Sequence, residues 1–148
     1  MNQRTAIRLD PDEQLEVLRT AKKASLSTID AEGYPHVVAM GFVEEAGKII
    51  MTSYAKAQKV LNIRRNPKVA IMVEEGSDYS NFRGVSIRGT CELDDDHDAV
   101  VAAMEKILGQ QLSEVAVRRA AKRIVMTVTP HKTATWDHGK LEGGKASY

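Results

Sequence analysis

Ile49-Ile-Met51-Thr-Ser-Tyr-Ala-Lys-Ala-Gln-Lys-Val-Leu-Asn-Ile-Arg-Arg-Asn-Pro67 followed by Val69-Ala-Ile-Met-Val73 reads as strand, short helix, strand. Ile49 to Met51 is apolar enough for a strand, and Thr52 and Ser53 supply hydroxyls where a helix cap is expected. Val60, Leu61 and Ile63 offer an apolar side to dock on a sheet. Asn66-Pro67 ends the helix, because a residue before proline disfavours helical backbone. The same stretch carries Lys56, Lys59, Arg64 and Arg65. The first turn of a helix leaves backbone N–H groups unpaired, so these cations mark a place where a phosphorylated ligand can be held. The plainer reading is an amphipathic helix with a solvated basic face.

Working outward, Asp10-Pro-Asp-Glu13 is a capping box with proline at the first helical position, opening a helix through about Ala21. Ala24 to Ile29 and Tyr34 to Val43 form a hairpin about the turn Asp30-Ala-Glu-Gly33, and Ala46-Gly47 leads into a strand from Lys48. Beyond the basic helix, Val69 to Val73 is a compact buried strand and Arg83 to Leu93 a long alternating one. Asp94-Asp-Asp96 suits the start of a helix whose apolar stripe is Val100, Val101, Met104, Ile107 and Leu108. Ser113 to Ala121 reads as a further helix. Ile124 to Val128 is the last secure strand, limited or bent by Thr129-Pro130, and the segment from Gly139 to Tyr148 reads as a loose tail. About six mainly antiparallel strands with peripheral helices make a small, mainly β barrel in one domain, 1–148. Such a barrel has little room inside, so a flat ligand belongs in an external groove.

Composition narrows the function classes. The chain has 148 residues with 21 basic and 20 acidic side chains, so there is no global field for nucleic acid. A single cysteine, Cys91, precludes an intrachain disulfide and a multi-cysteine metal cluster. His36, His97, His131 and His138 lack the spacing of a helical metal motif. No Gly-rich dinucleotide fingerprint or serine nucleophile elbow is present. The polar start and the lack of a long apolar run give a cytoplasmic expectation, with no membrane partner.

The ordered blocks Ser27-Thr28, Gly33-Tyr-Pro-His36, Gly41-Phe42, Thr52-Ser53, Lys59-Val-Leu-Asn-Ile-Arg-Arg-Asn-Pro67, Arg83-Gly-Val-Ser-Ile-Arg-Gly89 and Thr135-Trp-Asp-His138 resemble the split β-barrel flavin and deazaflavin oxidoreductases. These are relatives of pyridoxamine 5′-phosphate oxidase, and the match is nearest to the deazaflavin-dependent branch that includes mycobacterial biliverdin reductases. The resemblance implies a homodimer with cofactor grooves at the subunit boundary, binding coenzyme F420 or, alternatively, FMN. It implies phosphate contacts from Thr52, Ser53, Lys56 and Lys59. It places His36, Val37, Val38 and Ala39 on the strand edge beside the tricyclic ring. Trp136, Asp137 and His138 become a carboxy-terminal lip closing the partner's groove. Arg64, Arg83 and Arg88 join the cofactor-facing set, with Arg83 and Arg88 suited to a glutamate tail or to pairing with Glu74, Glu75 or Glu92. The implied activity is hydride transfer between F420 and an unsaturated small-molecule acceptor, with no catalytic side chain and no metal. The alternatives are an FMN-dependent oxidoreductase and a non-catalytic flavin- or haem-binding protein. The substrate-binding arginine–histidine arrangement of the vitamin-forming oxidase is not found, so pyridoxamine phosphate oxidation is not expected.

Overall fold

The computed structural model describes residues 2–141. Seven strands form a single antiparallel sheet: β1 (Lys23–Ile29), β2 (Pro35–Gly41), β3 (Val43–Glu45), β4 (Lys48–Tyr54), β5 (Lys68–Glu75), β6 (Arg83–Asp94) and β7 (Arg123–Asp137), in the order β2-β1-β5-β6-β7-β4-β3. The edge strands β2 and β3 are consecutive in the chain, joined at Phe42, so one run of backbone passes from one sheet edge to the other. The sheet therefore curls, and it bears out the mainly β split-barrel expectation.

Alternation along each strand decides what lies inside. Leu26, Ile49, Met51, Ile71, Val85, Ile124 and Met126 are each at most 1% exposed and fill the barrel. Helix α2 (Pro11–Thr20) covers one opening with Val17 and Leu18, and its Asp10–Glu13 capping box forms as expected. The short α1 (Gln3–Ala6) was not foreseen. On the outer face of β4 and the start of β7, α4 (His97–Leu108) and the turn at Ala120, which follows α5 (Glu114–Arg119), form a second small core of Val100, Ala103, Ala120 and Val125.

Helix α3 (Gln58–Arg65) begins later than expected, because β4 continues to Tyr54 before the chain turns. Its cap is Ala57, with no side-chain hydrogen bond, so neither Thr52 nor Ser53 caps it. Its buried face is Val60, Asn62 and Ile63, whereas Leu61 is exposed. Asn62 is completely buried: Nδ2 donates to Thr28 Oγ1 at 3.0 Å, and Oδ1 accepts from Gln58 Nε2 at 2.7 Å and Arg65 Nη2 at 3.2 Å. Arg65 also donates to the Ile29 carbonyl, so it ties α3 to β1 through amide and carbonyl oxygens. Replacing Asn62 with alanine strands the partners in a dry site and should cost about 2–3 kcal/mol. Urea unfolding would measure the loss, and Asn62→Ala combined with Thr28→Val should recover part of it.

β7 runs for 15 residues rather than ending near Val128. Pro130 is accommodated at an irregularity opposite Arg88 and Gly89, where Arg88 pairs with Lys132 but Gly89 with Pro130, leaving His131 extra. A Cβ on Gly89 would collide with the Thr129 carbonyl, so the close approach requires glycine. Of the expected loose tail, Gly139 and Lys140 lie in a helical turn, and residues 142–148 fall outside the described chain. Cys91 is buried, and burial first, then the Glu92 charge, pushes its thiol up to about 12, as suits an inert core residue.

Candidate anion and cofactor site

The end of β4, the start of α3 and the start of β7 meet at one corner. Register opposes Tyr54 to Arg123 and Thr52 to Val125, so Thr52, Tyr54 and Arg123 share the outer face. Arg123 Nη2 donates to Thr52 Oγ1 at 3.1 Å and to its carbonyl at 3.2 Å, and the guanidinium lies 4.7 Å from the Tyr54 ring centre. These contacts fix the arginine, yet its buried Nε has no partner.

Lys59 approaches the same corner from the first turn of α3. Its pKa is lowered, first by burial and then by the Arg123 charge. Among the described residues, no carboxylate lies within 4.0 Å of either cation. Two cations held together without a counter-ion favour an incoming anion, and the uncapped N-terminus of α3 adds unpaired N–H groups. A phosphate or phosphodiester fits this donor set. Lys56 stands exposed in the preceding turn.

The pleat separates the two hydroxyls expected to act together. Thr52 faces outward beside Arg123, whereas Ser53 is 4% exposed on the inner face, donating to the Tyr54 carbonyl at 3.3 Å. The structure therefore turns Ser53 away from the surface that Thr52 presents. Arg123 was missed in the sequence: a basic residue just before an apolar strand carries no local mark, and only the β4–β7 register brings it to Lys59.

β2 leads into the same corner. Gly41 lines a cavity of about 170 Å³ with Thr52, Arg123, Met104, Ile107 and Leu108. Along β2, His36 and Val38 oppose Thr28 and Leu26 on the inward side, while Val37 and Ala39 face outward. His36 Nδ1 is buried without a partner. β2 pairs only with β1 among the described residues, so its other backbone edge can meet polar atoms of a ring.

The remaining expected residues lie elsewhere. Arg83 is engaged by Glu75 and by Glu16, the latter at 3.1 Å, which raises its already high pKa. Arg64 is exposed in the last turn of α3, and Arg88 is exposed on the outer sheet face. Trp136 Nε1 donates to Glu74 Oε2 at 2.8 Å. His138 Nδ1 lies 2.8 Å from the Tyr79 carbonyl, with the two rings 4.3 Å apart. Trp136 and Arg123 are 13 residues apart on β7, roughly 40 Å of strand. One protomer thus does not bring its own Trp136 and His138 to its Lys59–Arg123 corner.

The sequence profile of the family described as pyridoxamine 5′-phosphate oxidase matches residues 10–137, and the chain belongs to that family. Among solved structures it is similar to a conserved hypothetical protein of Mycobacterium tuberculosis, with 30% identity and a TM-score of 0.85, covering 100% of this chain and 97% of that one. It is also similar to an F420 reductase, with 26% identity and a TM-score of 0.70, covering 84% and 98% of the respective chains. The heme storage protein of Vibrio cholerae shares the fold at 19% identity, with a TM-score of 0.68 over 88% of this chain and 95% of that one. No curated protein matches the chain. No described helix is long and apolar enough to cross a membrane, and no described group of three or more His, Cys, Asp and Glu side chains could hold a metal.

Proposed function

We propose that the protein is an F420-dependent oxidoreductase that transfers hydride between the deazaflavin and an unsaturated small-molecule acceptor. The observation that carries this reading is the Lys59–Arg123 pair, held together without a carboxylate beside the open start of α3. In a family whose relatives include an F420 reductase, that pair suits the anionic portion of such a cofactor. When bound, the deazaflavin supplies the hydride-carrying carbon.

The chain's own residues then bind and orient. Lys59, Arg123 and Thr52 hold the anionic group, with Lys56 at the rim, and the backbone edge from His36 to Ala39 borders the ring. The distance along β7 supports a homodimer in which Trp136 and His138 of one protomer close the other's groove and exclude water. No side chain is assigned as a proton donor; the proton comes from solvent. A cytoplasmic location accompanies this reading.

The test is parallel equilibrium titration of purified protein with F420 and FMN, followed by turnover of the reduced cofactor with an acceptor panel. Saturable F420 binding, weaker FMN binding and acceptor-dependent oxidation are expected. FMN preference would move the protein to the flavin-dependent alternative, and binding without turnover would assign it a carrier role.

A further inference from the structure

Pairing across five strands aligns Val37, Ser27, Ala70, Arg88 and Lys132 in one row on the outer face of the sheet. The row changes character along its length. Val37 is 62% exposed and stands on the strand assigned to the cofactor ring. Ser27 and Ala70 are small and leave a shallow floor, while Arg88 and Lys132 are cations. A cavity of about 540 Å³ opens over this floor, lined also by Ile29, Lys68 and His131. That volume suits a small organic ligand.

The irregularity between β6 and β7 shapes the cationic end. Regular alternation would send consecutive residues to opposite faces, but the extra residue lets both His131 and Lys132 line the same cavity. His131 Nε2 is fixed 2.9 Å from Thr90 Oγ1. Among the described residues, no carboxylate lies within 4.0 Å of Lys68, Arg88, His131 or Lys132. From Val37 to Arg88 is three strand spacings, roughly 14 Å.

We propose that this outer-face cavity is the acceptor pocket, and that it selects a flat, mainly apolar acceptor bearing a carboxylate. The apolar body lies on Ser27 and Ala70 with its reducible bond toward β2, and the carboxylate meets Arg88 and Lys132. This inference rests on the proposed redox reading. An acceptor carbon gains hydride from the reduced deazaflavin, its double-bond partner gains a proton from solvent, and the deazaflavin is oxidised.

The test uses 2-naphthoate and its neutral counterpart 2-naphthylmethanol as probes of the full-length protein, with dissociation constants measured by NMR titration. Naphthoate should bind about tenfold more tightly than the alcohol. The exposed double variant Arg88→Gln/Lys132→Gln should abolish that preference, and Ala70→Trp should remove binding of both probes. Thermal melts and sizing chromatography would confirm that each variant remains folded in its wild-type assembly. F420 affinity measured on the same variants should stay at the wild-type value, which separates this pocket from the Lys59–Arg123 corner. Equal affinity for the two probes, or a preference that survives the double variant, would overturn the proposal. So would dissociation of the assembly by Ala70→Trp without any naphthoate preference in the wild type, which would assign the face to subunit contact.

Discussion

Lys59→Gln and Arg123→Gln together should weaken F420 binding by roughly a hundredfold or more, since a charge-assisted hydrogen bond contributes about 1.5–3 kcal/mol. Without ligand, Arg123→Gln also gives up the contacts to Thr52 and Tyr54, whereas Lys59→Gln alone should melt higher than wild type. The reason is the apoprotein's electrostatics: Lys59 is partly buried beside Arg123 and its charged form is disfavoured. A mere stabilising role would give the opposite sign in the melt. The pH dependence follows from linkage. Because the folded pKa lies below the ordinary lysine value of 10.5, the folded chain sheds this proton first as pH rises. Between those two values the unfolded chain binds more protons, so the Lys59 contribution makes the apoprotein more stable with rising pH. An anion favours the ammonium form, so F420 affinity should fall across that interval. Isothermal titration at several alkaline pH values would show the fall, and Lys59→Gln should flatten it. Affinity that is independent of both residues would remove this corner from the cofactor site.

The second large effect is expected at Gly84. It faces Trp136 across the β6–β7 ladder, and a Cβ there would stand 2.6 Å from the Val73 carbonyl and closer still to the indole ring. Gly84→Ala should therefore cost about 3 kcal/mol through overpacking, or roughly 8 °C in melting temperature for a domain of this size. Trp136→Ala in the same chain should return only part of the loss, because the clash with the Val73 carbonyl remains. A calorimetric double-mutant cycle would measure this. The indole that packs on Gly84 is also the proposed lip, so Gly84→Ala should weaken cofactor retention as well as stability.

Those two positions differ in how much the sequence disclosed about them. Gly84 lies in a long alternating strand, where a glycine signals close approach, and the structure supplies that approach as an indole and a carbonyl. The Asp10–Glu13 cap, the hairpin about Gly33 and the compact strand at Val69 were legible because each is encoded locally. Arg123 was not, since its role arises from register with Tyr54, far away in sequence. The second half of β7 escaped because Thr133 and Thr135, which pair with Ile87 and Val85, are not apolar. Leu9 N donates to Thr135 Oγ1 at 3.0 Å, so a polar contact covers a position where hydrophobic alternation would be sought. Asn62 misled for the opposite reason: a polar residue fills a fully buried position of a helix whose apolar neighbour Leu61 points to water. The outward Thr52 and inward Ser53 show the limit of reading adjacent hydroxyls as one motif. Once a strand continues through them, the pleat sends them to opposite faces.

The sheet order places the last strand of the chain between β6 and β4. During synthesis, β4 and β6 are therefore made long before the segment that joins them. Until the ribosome has released Arg123–Asp137, both carry bare hydrogen-bonding edges, with the corner for the cofactor still unformed. The sheet is thus completed only after β7 has emerged, and the nascent chain passes through an interval in which exposed edges invite association with other chains.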